Sequence, residues 1–398
     1  MPQFWDFGVD YYGIEELVSE EEALVQAAVR RFVRDRVLPT IAKHFEEGVF
    51  PKGLIPELAE LGILGGTLDI NGGPTMSEVA YGLAMQELER GDSALRSFCS
   101  VQSALVMYPI WAYGSEAQKK HYLHKLASAE WIGCFGLTEP EVGSNPREMQ
   151  TRAKRIPGGF EIDGAKRWIT NAPIADICIV WAKLEGEGDQ RPGSEVRGFL
   201  VERDAPGLTI LEMKDKWSMR ASSTGELVLE GVRVKEDAIL PLAHGMKAPL
   251  SCLSQARYGI AWGAIGAAIA CYECALSYAK ERVQFGRPIA QFQLTQAKLV
   301  HMVQEITKAQ LLALRLGRLK ESKKVRPAQI SLAKRNNVAM AIECAKLARE
   351  ILGANGITHA YPPGRHLLNL ETVLTYEGTH EIHTLIVGQD ITGLDAFG

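Results

Sequence analysis

The segment YEGTHEIH, residues 376–383, places one carboxylate, Glu377, directly before an apolar helical pattern. A carboxylate held at such a point can act as a general base if it lies within hydrogen-bond reach of an acidic proton. The position equally suits an acidic side chain that only interacts favourably with the helix dipole, and Thr379 is suited to cap the helix. His380 and His383 have i, i+3 spacing, but no acidic or cysteine set completes a site, so we predict no metal.

Two segments in the middle of the chain have the composition of a cofactor site. FGLTEPEVGS, residues 135–144, follows a predicted strand and ends in a Gly/Ser turn. Such a loop offers backbone N–H groups and hydroxyls to a phosphate or a flavin ring edge, although an ordinary β-turn has the same composition. RWITN, residues 167–171, places Trp168 at a strand end, where it either lines a cofactor or belongs to the core.

A third candidate is ERVQFGRP, residues 281–288, where a long helical pattern stops at Gly and Pro. The arginines there suit the negative end of a helix dipole. Alternatively, Arg282 reaches a pyrophosphate. The segment alone does not decide between the two interpretations.

The elements that position these segments follow in the order helices, strands, helices. Helical periodicity with turns at NGGPT (71–75) and Gly91-Asp92-Ser93 predicts an N-terminal helical domain over 1–130. Short β-branched runs between Gly, Pro and Asp predict a middle β-domain, a sheet or small barrel, over 131–240. Helical segments of about 25 to 30 residues predict a helical bundle over 241–398. The fold class is therefore α+β.

Composition excludes several classes of function. The 398 residues carry 44 Lys and Arg against 48 Asp and Glu, a formal net charge of −4 without long runs of one sign, which argues against nucleic acid as a partner. The longest charge-free apolar stretch, 258–272, is shorter than the roughly 20 residues of a spanning helix, so we predict a buried helix and no membrane insertion. Seven cysteines in mostly apolar contexts predict a reducing compartment, with Cys271 and Cys274 in the core.

Together, six segments resemble the acyl-CoA dehydrogenase family over essentially the whole chain: FGLTEPEVGS, KRWITN, ARYGIAWG, ERVQFGRP, EILGANGI and TYEGTHEIH. The resemblance implies an N-terminal helical domain, a middle β-domain and a C-terminal four-helix bundle. It also implies FAD as the cofactor, an acyl-CoA substrate, a homotetramer and an electron-transfer flavoprotein as electron acceptor. We expect a cytoplasmic protein if the source is bacterial, or one of the mitochondrial matrix if the chain is a processed eukaryotic one.

Within the family, the likeness is greatest to the glutaryl-CoA dehydrogenases, in residues 87–116 and 365–397. This likeness implies that Glu377 is the catalytic base, with Tyr376 beside it in the catalytic segment. Arg96 and Ser97 would meet the distal carboxylate of the substrate, supported by Glu89. Acyl-CoA contacts are further implied for Ser144, Leu250, Leu253, Ser254, Arg257 and Gly378. FAD contacts are implied for Phe135, Leu137, Thr138, Gly143, Ser144, Trp168, Ile169, Thr170, Phe285, Glu350, Leu352, Gly353, Ala354, Thr379 and Phe397, and on the FAD of a neighbouring subunit for Arg282 and Gln293.

The predicted activity is FAD-dependent α,β-dehydrogenation of an acyl-CoA, with glutaryl-CoA converted to crotonyl-CoA and CO2, a reaction of lysine and tryptophan degradation. An arginine suits this substrate because a buried distal carboxylate needs a charged partner. The alternatives within the family are a short-chain acyl-CoA dehydrogenase and an acyl-CoA oxidase. An alternative of another class is a flavin-bearing nucleic-acid-binding or regulatory protein.

Overall fold

The computed structural model describes residues 9–397 except 71, 74, 188–192 and 194. Two positions of the turn predicted at 71–75 therefore lie outside the described residues. The predicted order of helices, strands and helices is confirmed. The N-terminal helices are α1 (Glu20–Phe32), α2 (Ile41–Glu47), α3 (Ile55–Glu60), α4 (Glu78–Gly91), α5 (Ser93–Ser100), α6 (Tyr108–Tyr113) and α7 (Glu116–Ala127).

The N-terminal helices begin where capping residues allow it. Ser19 and Glu22 form a reciprocal capping box at the start of α1. Asp92, in extended conformation, ends α4 and accepts a hydrogen bond from the Ala94 N–H at the start of α5. Two π-helical segments, Val33–Val37 after α1 and Val101–Met107 between α5 and α6, were not predicted from the sequence. Such π segments are rare and recur near functional sites.

The middle of the chain forms one seven-stranded sheet. Its strands are β1 (Gly133–Gly136), β2 (Arg152–Ile156), β3 (Gly159–Thr170), β4 (Ile177–Leu184), β5 (Val196–Glu202), β6 (Leu208–Glu212) and β7 (Thr224–Lys235). The order is β1-β4-β2-β3-β7-β6, and β5 pairs with the other edge of β4. β4 is parallel to β1 and β2 and antiparallel to β5. The parallel pairing brings the end of β1, where the FGLTEPEVGS loop begins, beside the centre of the sheet.

The C-terminal part is a bundle of long helices. They are α8 (Lys247–Glu281), α9 (Gln293–Glu321), α10 (Pro327–Ile351), α11 (Pro362–Thr375) and α12 (His380–Thr392), with a hairpin of β8 (Val283–Gln284) and β9 (Arg287–Pro288) between α8 and α9. α8 and α10 contact each other, both contact α9 and α11, and α12 packs on α10. The bundle is therefore built around α8 and α10.

α8 is a core helix. It is the one helix in the described part of the chain that is long and apolar enough to cross a membrane, and 89% of its most apolar window is buried inside the protein. Cys271 and Cys274 are fully buried on it, which confirms that they belong to the core. At Gly266 a Cβ would collide with the Gln86 carbonyl of α4, so glycine permits the close contact of the two helices. Apolar side chains of the π-helical segment Val101–Met107, β1, β4 and the start of α8 share one core cluster at the junction of the three parts.

Candidate active site

The short link between α11 and α12 has an unusual backbone conformation. Glu377 has φ 52° and Gly378 has φ 96°, both in the left-handed region. The Lys334 ammonium on α10 donates to the carbonyl oxygens of Tyr376, at 2.5 Å, and Gly378, at 2.6 Å. Arg257 Nε on α8 donates to the carbonyl of Glu377 at 2.7 Å. Two buried cations therefore hold three consecutive carbonyl groups, and a non-glycine residue in this conformation is a mark of functional sites.

One carboxylate oxygen of Glu377 lacks a hydrogen-bond partner among the described residues. This Oε2 atom is buried and accepts no hydrogen bond. Burial raises the pKa of Glu377 above its ordinary value, while the positive charges of Arg96, Lys334 and Arg257 oppose that rise. A carboxylate with a raised pKa and an unsatisfied oxygen is suited to take a proton from a bound molecule.

The Arg96 guanidinium lies fully buried beside this link. Its Nε donates to Glu89 Oε2 at 2.6 Å, and its Nη2 donates to the Tyr376 hydroxyl. Ser93 donates to the other oxygen of Glu89 at 2.8 Å, which fixes that carboxylate. Arg96 Nη1 is buried and has no partner among the described residues. One N–H edge of a rigidly held arginine is thus left for an external acceptor, and the planar fork suits a carboxylate.

The two predicted cofactor segments of the middle domain lie side by side. The Arg167 N–H of β3 donates to the Thr138 carbonyl, just after β1, at 2.8 Å. Buried Lys166 donates to the Leu137 carbonyl at 3.2 Å and to the Glu139 carboxylate at 2.8 Å. These bonds fasten the loop after β1 to the end of β3, so residues 135–138 and 167–170 form one surface.

Trp168 presents its indole on that surface. Its side chain is 55% exposed, and its φ of 63° coincides with an irregularity in the β3–β7 register between Lys166 and Ile169. A core tryptophan would be buried, so the interpretation of Trp168 as a cofactor wall fits better than the core interpretation. Ile169 is buried behind it. An exposed aromatic face beside backbone groups of the loop fits a flat, ring-containing cofactor.

The remaining predicted residues of this region are distributed as follows. Phe135 and Leu137 are buried in the junction core, against which Leu250 and Leu253 pack. Ser97 is buried beside Arg96, whereas Gly143 and Ser144 are exposed on the loop. Partly buried positions are held by Thr138, Thr170 and Ser254. Thr379 caps α12 through the Ile382 N–H, as predicted, and Phe397 lies exposed beyond α12.

A third group lies at the far end of the bundle. Arg282 directly follows α8, and Gln293 is the first residue of α9. Glu350, near the end of α10, forms an ion pair of 2.6 Å with Lys298 of α9. Leu352 is buried there, while Gly353 and Ala354 are exposed, as is Phe285, whose side chain is 93% exposed. Because a helix rises 1.5 Å per residue, Arg282 lies roughly 37 Å along α8 from Arg257. The fold does not bring this group to Glu377 within one chain.

Lys334 is a residue of the candidate site that the sequence analysis missed. Its side chain is 1% exposed on α10, on the same face as the buried Ile330, Ala333 and Val338. The sequence does contain a signal for it, because a lysine at an apolar helical position must find a buried acceptor. What the spacing does not reveal is that the acceptors are the two carbonyls that flank Glu377.

Comparisons with known proteins agree with this geometry. Models of the acyl-CoA dehydrogenase N-terminal, middle and C-terminal domains match residues 19–130, 134–232 and 243–392. The crystal structure of glutaryl-CoA dehydrogenase from Mycobacterium smegmatis is 51% identical with a TM-score of 0.94, covering 98% of this chain and 100% of that chain. A structure of a glutaryl-CoA dehydrogenase from the same organism in complex with FADH2 is 47% identical, with a TM-score of 0.94, and covers 98% and 99%.

A more distant curated relative is the mitochondrial short-chain specific acyl-CoA dehydrogenase of Homo sapiens, 33% identical over 390 residues, which are 97% of this chain and 93% of the human protein. The three domain models match in the order of the fold, and the relatives align over nearly their full lengths. The chain therefore belongs to the acyl-CoA dehydrogenase family.

Proposed function

We propose that this protein is an FAD-dependent dehydrogenase of glutaryl-CoA. The observation that carries the substrate assignment is Arg96, a fully buried guanidinium held by Glu89 and Tyr376 with Nη1 unpartnered, next to the carboxylate of Glu377. A substrate without a distal charge would leave that N–H edge unsatisfied, whereas glutaryl-CoA would supply a carboxylate to it. The similarity to the Mycobacterium smegmatis protein supports the same choice.

The residues of the middle domain fit FAD. The exposed face of Trp168 and the backbone of the loop after β1 offer a flat wall and polar groups at one place, and the Mycobacterium smegmatis relative was solved with FADH2. Bound there, FAD would supply a hydride acceptor for the β-carbon of the substrate. The distant group around Arg282 and Gln293 fits the FAD of a neighbouring subunit, so we also propose a homotetramer. An electron-transfer flavoprotein is the proposed electron acceptor.

In the proposed reaction Glu377 removes the α-proton of the thioester. Its carboxylate is buried beside cations, and its raised pKa keeps it basic enough for a weakly acidic C–H proton. The Glu377 N–H donates to no acceptor in the described chain and is the proposed donor to the thioester oxygen, where negative charge develops. Arg96 orients the substrate from its far end.

Loss of CO2 from the product is part of the proposal. After dehydrogenation the distal carboxylate lies one carbon beyond the new double bond. Breaking the bond to that carboxylate leaves its electron pair in a dienolate that extends to the thioester oxygen, and protonated Glu377 returns a proton to give crotonyl-CoA. Mass spectrometry of the product, with an electron acceptor present, tests this step. Accumulation of glutaconyl-CoA without crotonyl-CoA would refute decarboxylation and leave the dehydrogenase assignment intact.

Anaerobic bleaching of the flavin by a panel of thioesters tests the substrate. Glutaryl-CoA should reduce the flavin faster than butyryl-CoA or octanoyl-CoA, because only glutaryl-CoA satisfies Arg96. Faster reduction by butyryl-CoA would favour a short-chain acyl-CoA dehydrogenase, like the human relative. Rapid reoxidation of the reduced protein by oxygen, but not by an electron-transfer flavoprotein, would favour an oxidase.

A further inference from the structure

The cations around the Glu377 link act on its peptide groups and not on its side chain alone. The Lys334 ammonium lies 2.5 Å from the Tyr376 carbonyl oxygen and 2.6 Å from the Gly378 carbonyl oxygen. Arg257 Nε donates to the carbonyl oxygen between them, that of Glu377, at 2.7 Å. A lysine that is 1% exposed and donates to two carbonyls of the link fixes the direction of both peptide planes.

The direction of these planes determines where the N–H groups point. In a trans peptide the C=O and N–H bonds are antiparallel, so the Glu377 N–H points away from the ammonium that holds the Tyr376 carbonyl. That N–H has no acceptor in the part of the chain that the structure describes. A positive charge on the oxygen side of an amide withdraws electrons and strengthens the N–H as a donor, as in polarised chains of hydrogen bonds.

We infer that Lys334 is a positioning residue for enolate formation: through the Tyr376–Glu377 peptide it orients and polarises the Glu377 N–H that receives the thioester oxygen. This inference rests on the proposed role of the Glu377 segment and extends it to a residue on another helix. In this role Lys334 acts through the peptide and not by direct contact with substrate or cofactor. Its charge acts on the enolate oxygen through the Tyr376–Glu377 peptide, from the carbonyl side of that peptide.

Charge balance supports this role over simple fastening of the loop. The titratable and charged groups that face Lys334 are Glu377, Arg96, Arg257, Tyr376, His380 and His383. Burial lowers the pKa of His383, so this ring adds no charge near neutrality. Burial lowers the pKa of Lys334 to about 7, and the charge of Glu377 opposes that fall. When Glu377 takes the α-proton, negative charge moves from its carboxylate to the thioester oxygen, where the charged form of Lys334 stabilises it through the peptide. A neutral donor would fasten the loop equally well without the cost of burying an ammonium.

The test uses acetoacetyl-CoA, which ionises to an enolate but has no saturated β-carbon from which a hydride can leave. Its enolate is followed by ultraviolet absorbance while it is bound to the flavin-loaded protein as a function of pH. The comparison is made with Glu377 intact, because its carboxylate raises the pKa of Lys334, and again in a Glu377→Gln background, where the titration of the base itself does not contribute. Adding Lys334→Met should raise the pH of half-enolisation by about one to two units, a 10- to 100-fold loss of enolate stabilisation. Affinity for butyryl-CoA should change by less than about threefold, because a neutral thioester does not use the effect.

The matched control is Lys320→Met. Lys320 is also a largely buried lysine of the bundle, but it pairs with Glu78 at 2.5 Å and has no contact with the link. It should destabilise the fold without shifting enolisation. If Lys334→Met does not fold, Lys334→Gln keeps hydrogen-bond donors to the carbonyls, removes the charge and should still show most of the shift.

An unchanged enolisation pH in a folded Lys334 variant, or an equal shift in Lys320→Met, would overturn the inference. Acetoacetyl-CoA has no distal carboxylate, so the result does not depend on glutaryl-CoA being the substrate. Conversely, a failure of glutaryl-CoA to bleach the flavin would refute the substrate proposal and leave the role of Lys334 standing.

Discussion

At the residue scale, the unpartnered oxygen of Glu377 sets the first expectation. Glu377→Gln keeps the size of the side chain but cannot accept the α-proton. The variant should bind FAD normally, and the rate of flavin reduction should fall by about 10² to 10⁴, the usual contribution of a positioned base. Stopped-flow reduction with glutaryl-CoA measures this rate. Near-normal reduction would remove Glu377 from the mechanism.

The buried position of Glu377 also predicts how the rate depends on pH. A general base works only when ionised, so the rate falls as the pH drops through its pKa. Burial raises the pKa of Glu377, and the loss should therefore begin at a higher pH than the roughly 4.3 of an exposed glutamate. The pH profile of flavin reduction at saturating substrate reports the midpoint. A midpoint at or below that of an exposed glutamate would show that the net effect of the neighbouring cations outweighs burial.

If Arg96 binds the distal carboxylate, its removal should lower kcat/KM for glutaryl-CoA more than for butyryl-CoA. Arg96→Ala should cost glutaryl-CoA about 2 to 5 kcal/mol in apparent transition-state binding, because the distal carboxylate loses its partner. Butyryl-CoA has no such carboxylate and serves as the internal control for any general damage from leaving Glu89 unpaired. The ratio of the two kcat/KM values is the measurement. Equal losses would reduce Arg96 to a structural role.

A residue of the site could be predicted when its neighbours in the sequence indicate its role. It could not be predicted when its role depends on contacts with residues far away in the sequence. Glu377 follows a helix break and precedes a capping Thr379, which is a local signal. The resemblance to the family supplied Arg96. The contacts of Arg257 and Lys334 with the link join residues 120 and 42 to 44 positions apart, and no local pattern encodes such pairs.

At the element scale, the contact between α4 and α8 holds Arg96 in place through Glu89. A Cβ at Gly263 would collide with the Glu89 carboxylate and lie 3.1 Å from Arg96 Nε. Gly263→Ala should destabilise the protein by about 1 to 3 kcal/mol through overpacking and lower activity on glutaryl-CoA more than on butyryl-CoA. Thermal denaturation and the two kcat/KM values measure these effects.

Gly259→Ala is the control for Gly263→Ala because it lies one turn away on the same helix. There the new Cβ would meet the flexible Met85 side chain at 3.4 Å and the Tyr81 ring at 3.7 Å, both ordinary van der Waals distances. This variant should be neutral or slightly stabilising, since alanine favours a helix over glycine by roughly 1 kcal/mol. Similar losses in both variants would mean that α8 tolerates no added side chain anywhere, and that the pair Glu89 and Arg96 is not the reason.

The elements themselves were largely predictable. The strand-rich middle of the chain and the long C-terminal helices were predicted because β-branched runs and helical periodicity are local patterns. The strands β2 and β6 were not predicted, since RAKRI and LTILE are mostly exposed and carry few buried positions. The pairing of β4 with three strands depends on contacts between distant segments, which periodicity does not contain.

At the scale of the whole molecule, the sequence predicted three parts in the right order but not how they meet. Apolar residues of the N-terminal and C-terminal helices form one continuous core, while the sheet has its own core and a third cluster joins the parts. The amino-acid composition does not show whether the N-terminal and C-terminal helices share one hydrophobic core or have two separate cores. The arrangement places the Glu377 link and Arg96 on helices of different parts.

The length of α8 has a consequence for mixtures of chains. Arg257 serves the site of its own chain, and Arg282, roughly 37 Å farther along the helix, belongs under our proposal to the site of a neighbour. A Glu377→Gln chain would then damage its own site, whereas an Arg282→Ala chain would damage the site of its neighbour. Glu377→Gln and Arg282→Ala homo-oligomers should both be weakly active. Hybrids formed by unfolding and refolding the two together should regain activity, because one of the two shared sites in each hybrid pair combines an intact Glu377 with an intact Arg282. Complementation of this kind is measured as the rate of flavin reduction before and after mixing, and a mixture no more active than its components would mean that each chain builds its site alone.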